Sequence, residues 1–210
     1  MASRDHAAKF VAQRQAPHSM KAPEERRAEI IRAARELYEE QGLAHTSILD
    51  ITSRVGVTRT LFYHYFPDKD AVTSAVLDDY IGDFVEALSY WNANRHEGDI
   101  EQALTSIVHL LRIGLFENDS FRAALASREN AALYLEFVNR VADHTAAYII
   151  DTTVRDYAAL HEVRIDHLYE TFYVLILGVI GYLRMHPDAD DVVIADVIAQ
   201  TLHMDRPQRP

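Results

Sequence analysis

The sequence predicts an all-α protein, an N-terminal three-helix unit joined to a larger helical body. Three observations carry this. Glycine and proline are sparse, 7 and 6 in 210 residues. Apolar residues recur at i, i+3 and i+4 along most of the chain, the spacing that gathers them on one helix face. Residues suited to helix caps stand in front of several of these stretches. With 49% hydrophobic and 25% charged residues, the chain can bury a core and is neither disordered nor collagen-like. It has no cysteine, which excludes disulfides, thiolate metal sites and cysteine nucleophiles.

Residues 1–22 lack helical periodicity and are expected to form a flexible, mildly basic arm, with Arg4, Lys9, Arg14 and Lys21 set against Asp5. Pro23-Glu24-Glu25 opens a first helix, because proline fits the first turn and acids suit the positive end of the helix dipole. Ile30, Ala34, Leu37 and Tyr38 form its apolar face, and Gly42 stops it. Ser47-x-x-Asp50 caps a second, short helix with Ile48, Ile51 and Val55 inward. Gly56-Val57 is a turn, and Thr58 caps a third helix ending near Tyr65, before Pro67. Asp68 caps a long fourth helix to about Asn94. Further helices are expected over 99–116, near Ser120–Ala126, over 129–160, over 163–186 and over 189–204, with a frayed tail at 205–210.

Charge is unevenly spread. Residues 1–70 hold 11 Lys and Arg against 10 Asp and Glu, whereas residues 71–210 hold 10 against 22, and the whole chain is at −11. A near-neutral head on an acidic body suggests a partner for one end only. The N-terminal MASRDHAAKFVAQRQ has no apolar stretch of the kind a secretory signal needs. The longest apolar run, Phe172–Leu183, is about 12 residues, short of the ~20 needed to span a bilayer. The chain is therefore expected to be soluble and cytoplasmic, without a membrane partner.

The second and third helices with the turn between them form a helix-turn-helix, whose second helix can enter a DNA major groove. With Phe62 and Phe66 inward, its other faces present Thr58, Arg59, Thr60, Tyr63 and His64. Each is a hydrogen-bond donor, and Arg59 has the fork that reads guanine. Thr46, Ser47 and Lys69 stand at helix N-termini, where free backbone N–H groups favour phosphate. Short helix-glycine-helix corners also occur in proteins that bind no DNA.

Residues 26–81 resemble the DNA-binding domain of TetR-family transcriptional regulators. The resemblance is carried in order by Ala33-Ala34, Leu37, Gly42, Thr46, Ile51, Gly56-Val57-Thr58, Tyr63-x-Tyr65-Phe66 and Lys69. It implies backbone contacts from Thr46, Thr58, Tyr63 and Lys69, and base contacts from Arg59, Thr60 and His64. Two positions depart from the pattern. Thr52 stands where a small residue is common. Thr60-Leu61-Phe62-Tyr63 replaces Gly-Thr-Leu-Tyr, which removes a hydroxyl at 61 and shifts that phosphate contact toward Thr60. The resemblance further implies an effector-binding and dimerisation body, so that residues 23–67 would form the DNA-binding domain and 68–204 the body.

In that body, the candidate ligand residues are Trp91 on the fourth helix and His109, beside Arg112, on the fifth. Phe137, Val141, His144 and Tyr148 follow on the long helix, and Phe172, Tyr173 and Ile176 on the next. Such a stripe serves equally well as core. His109 and His144 lie among apolar neighbours, and a buried imidazole needs a partner, either a side chain or a ligand. For the dimer, Leu168, Leu175, Val179 and Tyr182 form one stripe, with Gly178 and Gly181 allowing close approach. Val193, Val197 and Leu202 continue it on the last helix. Two chains pairing these helices would form a four-helix interface and read a palindromic operator. The same helices could instead pack within one chain.

No phosphate loop, catalytic triad order or H-E-x-x-H motif is present, so neither an enzyme nor a cofactor is expected. His161, Glu162, Asp166, His167 and Glu170 read as a solvated helix start rather than a metal site. The expected function is a dimeric repressor on DNA, released by a small-molecule effector. The alternative is a helical interaction protein that keeps the fold and has lost DNA binding.

Overall fold

Local chemistry starts each of the first four helices in the computed structural model, which describes residues 22–95, 100–116, 125, 127, 130–159 and 162–204. Helix α1 (Pro23–Gln41) begins where the Ala22 N–H donates to the Glu25 carboxylate, and Gly42 ends it at φ 83°. At α2 (Ile48–Val55), Ser47 Oγ accepts from the Asp50 N–H while the Asp50 carboxylate accepts from the Ser47 N–H. Gly56 then turns the chain at φ 74°, in the left-handed region that favours glycine. Thr58 caps α3 (Arg59–Tyr65), accepting from the Leu61 N–H, and Asp68 caps α4 (Lys69–Asn94), accepting from the Ala71 N–H.

The body is made of α5 (Ile100–Phe116), α6 (Ala131–Ile149), α8 (Leu168–Met185) and α9 (Asp191–Thr201), with a short α7 (Arg155–Ala158). A five-residue π-helical stretch, Ile150–Val154, joins α6 to α7. All regular elements among the described residues are helical. The expected arm and tail lie outside the described residues apart from Ala22, as does most of the short helix expected near Ser120–Ala126.

Three expectations change. The helix expected over 129–160 contains the π stretch. The helix expected from Val163 starts only at Leu168, because Val163 and Ile165 are half-buried while Glu162, Arg164 and Asp166 are exposed, a period of two that belongs to extended chain. The last helix starts at Asp191, where Asp190 caps it by accepting from the Val192 N–H. Moreover α8, at 18 residues and mean hydropathy 1.3, is long and apolar enough to cross a membrane. In the fold it packs on α5 and α6, with Phe172, Ile176, Val179, Ile180 and Leu183 buried.

Helix α4 holds head and body together, packing on α1, α5 and α6. One buried core runs through it, from Ile30 and Phe62 in the head to Leu183 and Ala195 in the body. On one side Arg35 of α1 reaches Asp79 at 2.5 Å and Asp83 at 2.6 Å and lies 4.0 Å over the Tyr80 ring. Tyr80 donates to Glu39 of α1 at 2.6 Å. On the other side Arg140 of α6 reaches Asp78 at 2.5 Å and donates to Ser74 Oγ. Gly114 allows a close approach as well. A Cβ there would lie 2.6 Å from the Phe84 ring of α4.

Tyr38 is fully buried and its phenol pairs with Thr73 Oγ1 at 2.9 Å. Burial pushes the phenol up to about 12. A group whose folded pKa is raised adds stability that is complete below its unfolded pKa, near 10, and is lost as pH climbs through the folded value. The fold is therefore expected to lose on the order of 2–3 kcal/mol between pH 10 and 12. Tyr38→Phe should flatten that limb in urea unfolding measured across pH. An unchanged alkaline loss would assign it to another group.

Candidate nucleic-acid interface and internal cavity

The helix-turn-helix turns one face inward and the other to solvent. Phe62 and Phe66 are buried, whereas Thr58, Arg59, Thr60, Tyr63 and His64 are all exposed, as the spacing predicts. Each of the five carries a donor, so the surface of α3 is chemically able to pair with phosphates and base edges. Thr52 is buried, but its hydroxyl donates to Leu49 O at 3.0 Å, so the departure at that position costs no unpaired group.

The flanking residues differ from expectation. Thr46 is buried at 2% exposure; its hydroxyl lies 2.9 Å from Gly42 O and accepts from Gln41, so it ties down the loop after α1 and does not face solvent. Ser47 is exposed, but its hydroxyl donates to Asp50 at 2.7 Å, and that bond holds the carboxyl below its ordinary range. The charged Asp50 occupies the helix end where phosphate was expected. Lys69 is half-buried and donates to Leu43 O at 2.5 Å, and burial lowers its pKa. It fastens the start of α4 to the loop after α1. Arg27, which the spacing did not single out, lies exposed 5.1 Å over the Phe66 ring beside the end of α3. Arg54 forks onto Glu40 of α1, at 3.0 and 2.6 Å, and fixes α2 there.

The body holds a cavity of about 1120 Å³, open to solvent on one side and lined from α4, α5, α6, the π stretch, α8 and α9. Of the candidate ligand residues, Trp91, Phe172 and Ile176 line it. Phe137 and Val141 are core residues outside it, and Tyr173 joins α8 to α6 by donating to Asn139 at 3.0 Å. Tyr148 is half-buried and likewise off the cavity wall. His144 is exposed, and so is His109, whose Nδ1 stands 3.7 Å from Asp191 in an open groove between α4 and α5. Beside His109, Val108 and Leu111 are buried, whereas Leu110 and Ile113 line the groove with it. Arg112 is a clamp, with 2.9 and 2.5 Å contacts to Asp191, a 2.6 Å bond to Ala189 O, and a further bond to Pro187 O.

The expected dimer stripe divides in two. Leu168, Leu175, Val179 and Leu202 line the cavity, because that side of α8 and α9 faces α5. Tyr182, Val193 and Val197 are exposed at 48%, 53% and 47%. On α8, Val174 and Met185, which the stripe omitted, are exposed as well, and so are Gly178 and Gly181, whose Cα atoms have open space in front of them. Residues 162–165 and Thr145 also belong to the cavity and were not anticipated.

Comparison with known proteins agrees with this geometry. Residues 30–76 match the family of bacterial regulatory proteins, tetR family. The repressor KstR2 of Mycolicibacterium smegmatis is 26% identical over 61% of this chain and 57% of its own length. The regulator EthR of Mycobacterium tuberculosis is 29% identical over 60% of this chain and 61% of its own length. The chain thus spans about three-fifths of the curated relatives it matches. Over the whole fold, the structure of RolR in complex with resorcinol superposes with a TM-score of 0.56, covering 86% of this chain and 87% of that one at 24% identity. Residues 30–76 thus form a DNA-binding domain of the kind found in bacterial regulatory proteins of the tetR family, and the rest of the chain shares the fold of RolR.

Proposed function

We propose that the chain is a homodimeric DNA-binding repressor that reads a palindromic operator with α3 and leaves it when a small molecule fills the cavity. The observation that carries this is the solvent face of α3, where Arg59, Thr60, Tyr63 and His64 stand exposed over a buried Phe62 and Phe66. Repression is supported by the likeness to KstR2. Dimerisation is supported by the apolar outer surface of α8 and α9, and twofold symmetry then sets two reading heads on half-sites a whole number of helical turns apart. In this reading residues 23–67 are the reading head and 68–204 the body, and the protein works in the cytoplasm with the chromosome.

The cavity and the grips on α4 supply the switch. Trp91 and Arg95, at the end of α4, stand in the cavity wall, while the middle of the same helix is bound to α1 through Arg35 and Tyr80. A ligand that prefers one placement of α4 shifts the population toward one spacing of the heads. Its preference for that spacing sets how far operator affinity falls.

The test is selection of genomic fragments by the purified protein at moderate salt, with Arg59→Ala alongside. A palindrome enriched by the wild-type protein is the expected outcome, and no enrichment would sink the proposal. Arg59→Ala is expected to lose about tenfold or more in affinity and to relax base choice at one position in each half-site. Uniform weakening across all sites would reassign Arg59 to the phosphates.

A further inference from the structure

Thr145 of α6 lies in the cavity wall at 1% exposure, and its hydroxyl has no hydrogen-bond partner. Burying an unpaired hydroxyl costs about 1–3 kcal/mol. Helical threonines ordinarily avoid this by donating to the carbonyl four residues back. Thr73, Thr152 and Thr201 do so here, and the buried Thr46 and Thr52 are also bonded. Water is a poor remedy, since an ordered buried water needs two to four polar partners and Leu104, Ile107, Ile149, Phe172 and Ile176 furnish apolar wall. Threonine in a helix has two χ1 wells, and turning from one to the other carries the hydroxyl to a different side of Cβ, with the methyl displaced in turn. That motion is what would bring the oxygen to the cavity surface.

The charged residues of the cavity are already compensated. Arg95 stands 3.5 Å from Asp156 and Arg164 stands 2.9 Å from Glu162, and all but Arg95 are exposed to solvent. A ligand carboxylate or ammonium beside Thr145 would meet one neutral hydroxyl, too little to offset its desolvation. A plain hydrocarbon would leave the hydroxyl orphaned.

We infer that the ligand of this cavity is a neutral, mostly apolar molecule bearing a hydroxyl or carbonyl oxygen that pairs with Thr145. The inference rests on that part of the effector reading which makes the cavity a ligand site. Trp91 is the chain's single tryptophan and lies in the same wall, so its emission reports filling. Octan-1-ol and 1-chlorooctane, similar in shape and differing in the hydrogen-bonding group, would be titrated into the wild-type protein, Thr145→Val and Thr145→Ser. The expected result is that Thr145→Val weakens octan-1-ol about three- to tenfold, leaves 1-chlorooctane as tight or tighter, and raises the melting temperature of the unliganded protein. Thr145→Ser should restore the preference for the alcohol. Equal factors for both probes, or unchanged octan-1-ol binding, would overturn the inference. If neither probe alters Trp91 emission or the melting temperature of any of the three proteins, the effector reading falls and takes the inference with it. Probe binding that discriminates as expected but leaves operator affinity unchanged would sink the effector reading alone.

Discussion

Gly178→Glu is expected to turn the protein into a monomer and to lower operator affinity by more than about 100-fold. The basis is the exposed apolar side chains of both helices: Val174, Tyr182 and Met185 on α8, the helix of Gly178 and Gly181, and Val193 and Val197 on α9. A Cβ at Gly178 meets nothing within 4 Å in the single chain, so the protomer tolerates the new side chain and gains about 1 kcal/mol of helix propensity. Against a second copy, the same carboxylate would be desolvated in an apolar seam. Two linked reading heads gain about 10²–10⁴ in avidity over one, and the monomer forfeits it. Size-exclusion chromatography with light scattering, fluorescence anisotropy on operator DNA and a melting curve separate assembly from folding. A dimer that persists with full affinity would place the interface elsewhere.

Arg112→Ala is expected to cost about 3 kcal/mol of stability, a large share of the ~5–15 kcal/mol that a domain of ordinary stability has. The guanidinium gathers the Asp191 carboxylate and the Pro187 and Ala189 carbonyls onto α5. These groups are the approach to α9 and its first turn, so removing the arginine leaves the half-buried carboxylate with only the exposed His109 imidazole, 3.7 Å away, and the helix start untethered. Arg112→Lys should recover less than half, because one ammonium cannot reproduce a planar fork with three separate acceptors. Urea unfolding of the three proteins decides it. A loss below about 1 kcal/mol would mean the clamp behaves as an exposed ion pair. Because α9 carries Val193 and Val197, the same substitution should also weaken self-association.

What the sequence made legible was local. Caps at Ser47, Thr58 and Asp68 and stops at Gly42 and Gly56 are decided by groups a few residues apart, and all five stand where the spacing put them. The exposure of Arg59, Thr60, Tyr63 and His64 followed from burying Phe62 and Phe66 on a seven-residue helix. The body resisted for a physical reason. Helix α8 is apolar nearly all round, so a period of 3.6 marks it as a helix without choosing which side meets the cavity and which meets solvent. Leu175 and Tyr182 therefore fell into one stripe although the fold sends them to different faces. His109 misled in the opposite sense, for Val108 and Leu111 beside it are buried while the imidazole turns outward. Thr46 and Lys69 were read as free surface donors because their acceptors, Gly42 O and Leu43 O, belong to a loop whose path only the fold reveals. The π stretch had no signal in the sequence.

That stretch bears on how such a cavity changes over generations. A single residue added to a helix turns every side chain beyond it by about 100°, and a wide turn is where an added residue is absorbed. Ile149, Thr153 and Val154 line the cavity around this turn, while Arg140, three helical turns upstream, holds α6 to α4. Insertion or deletion here therefore re-faces the cavity wall and leaves that anchorage intact. Divergence in what the body accepts can proceed through chain length as well as through substitution, with the reading head undisturbed.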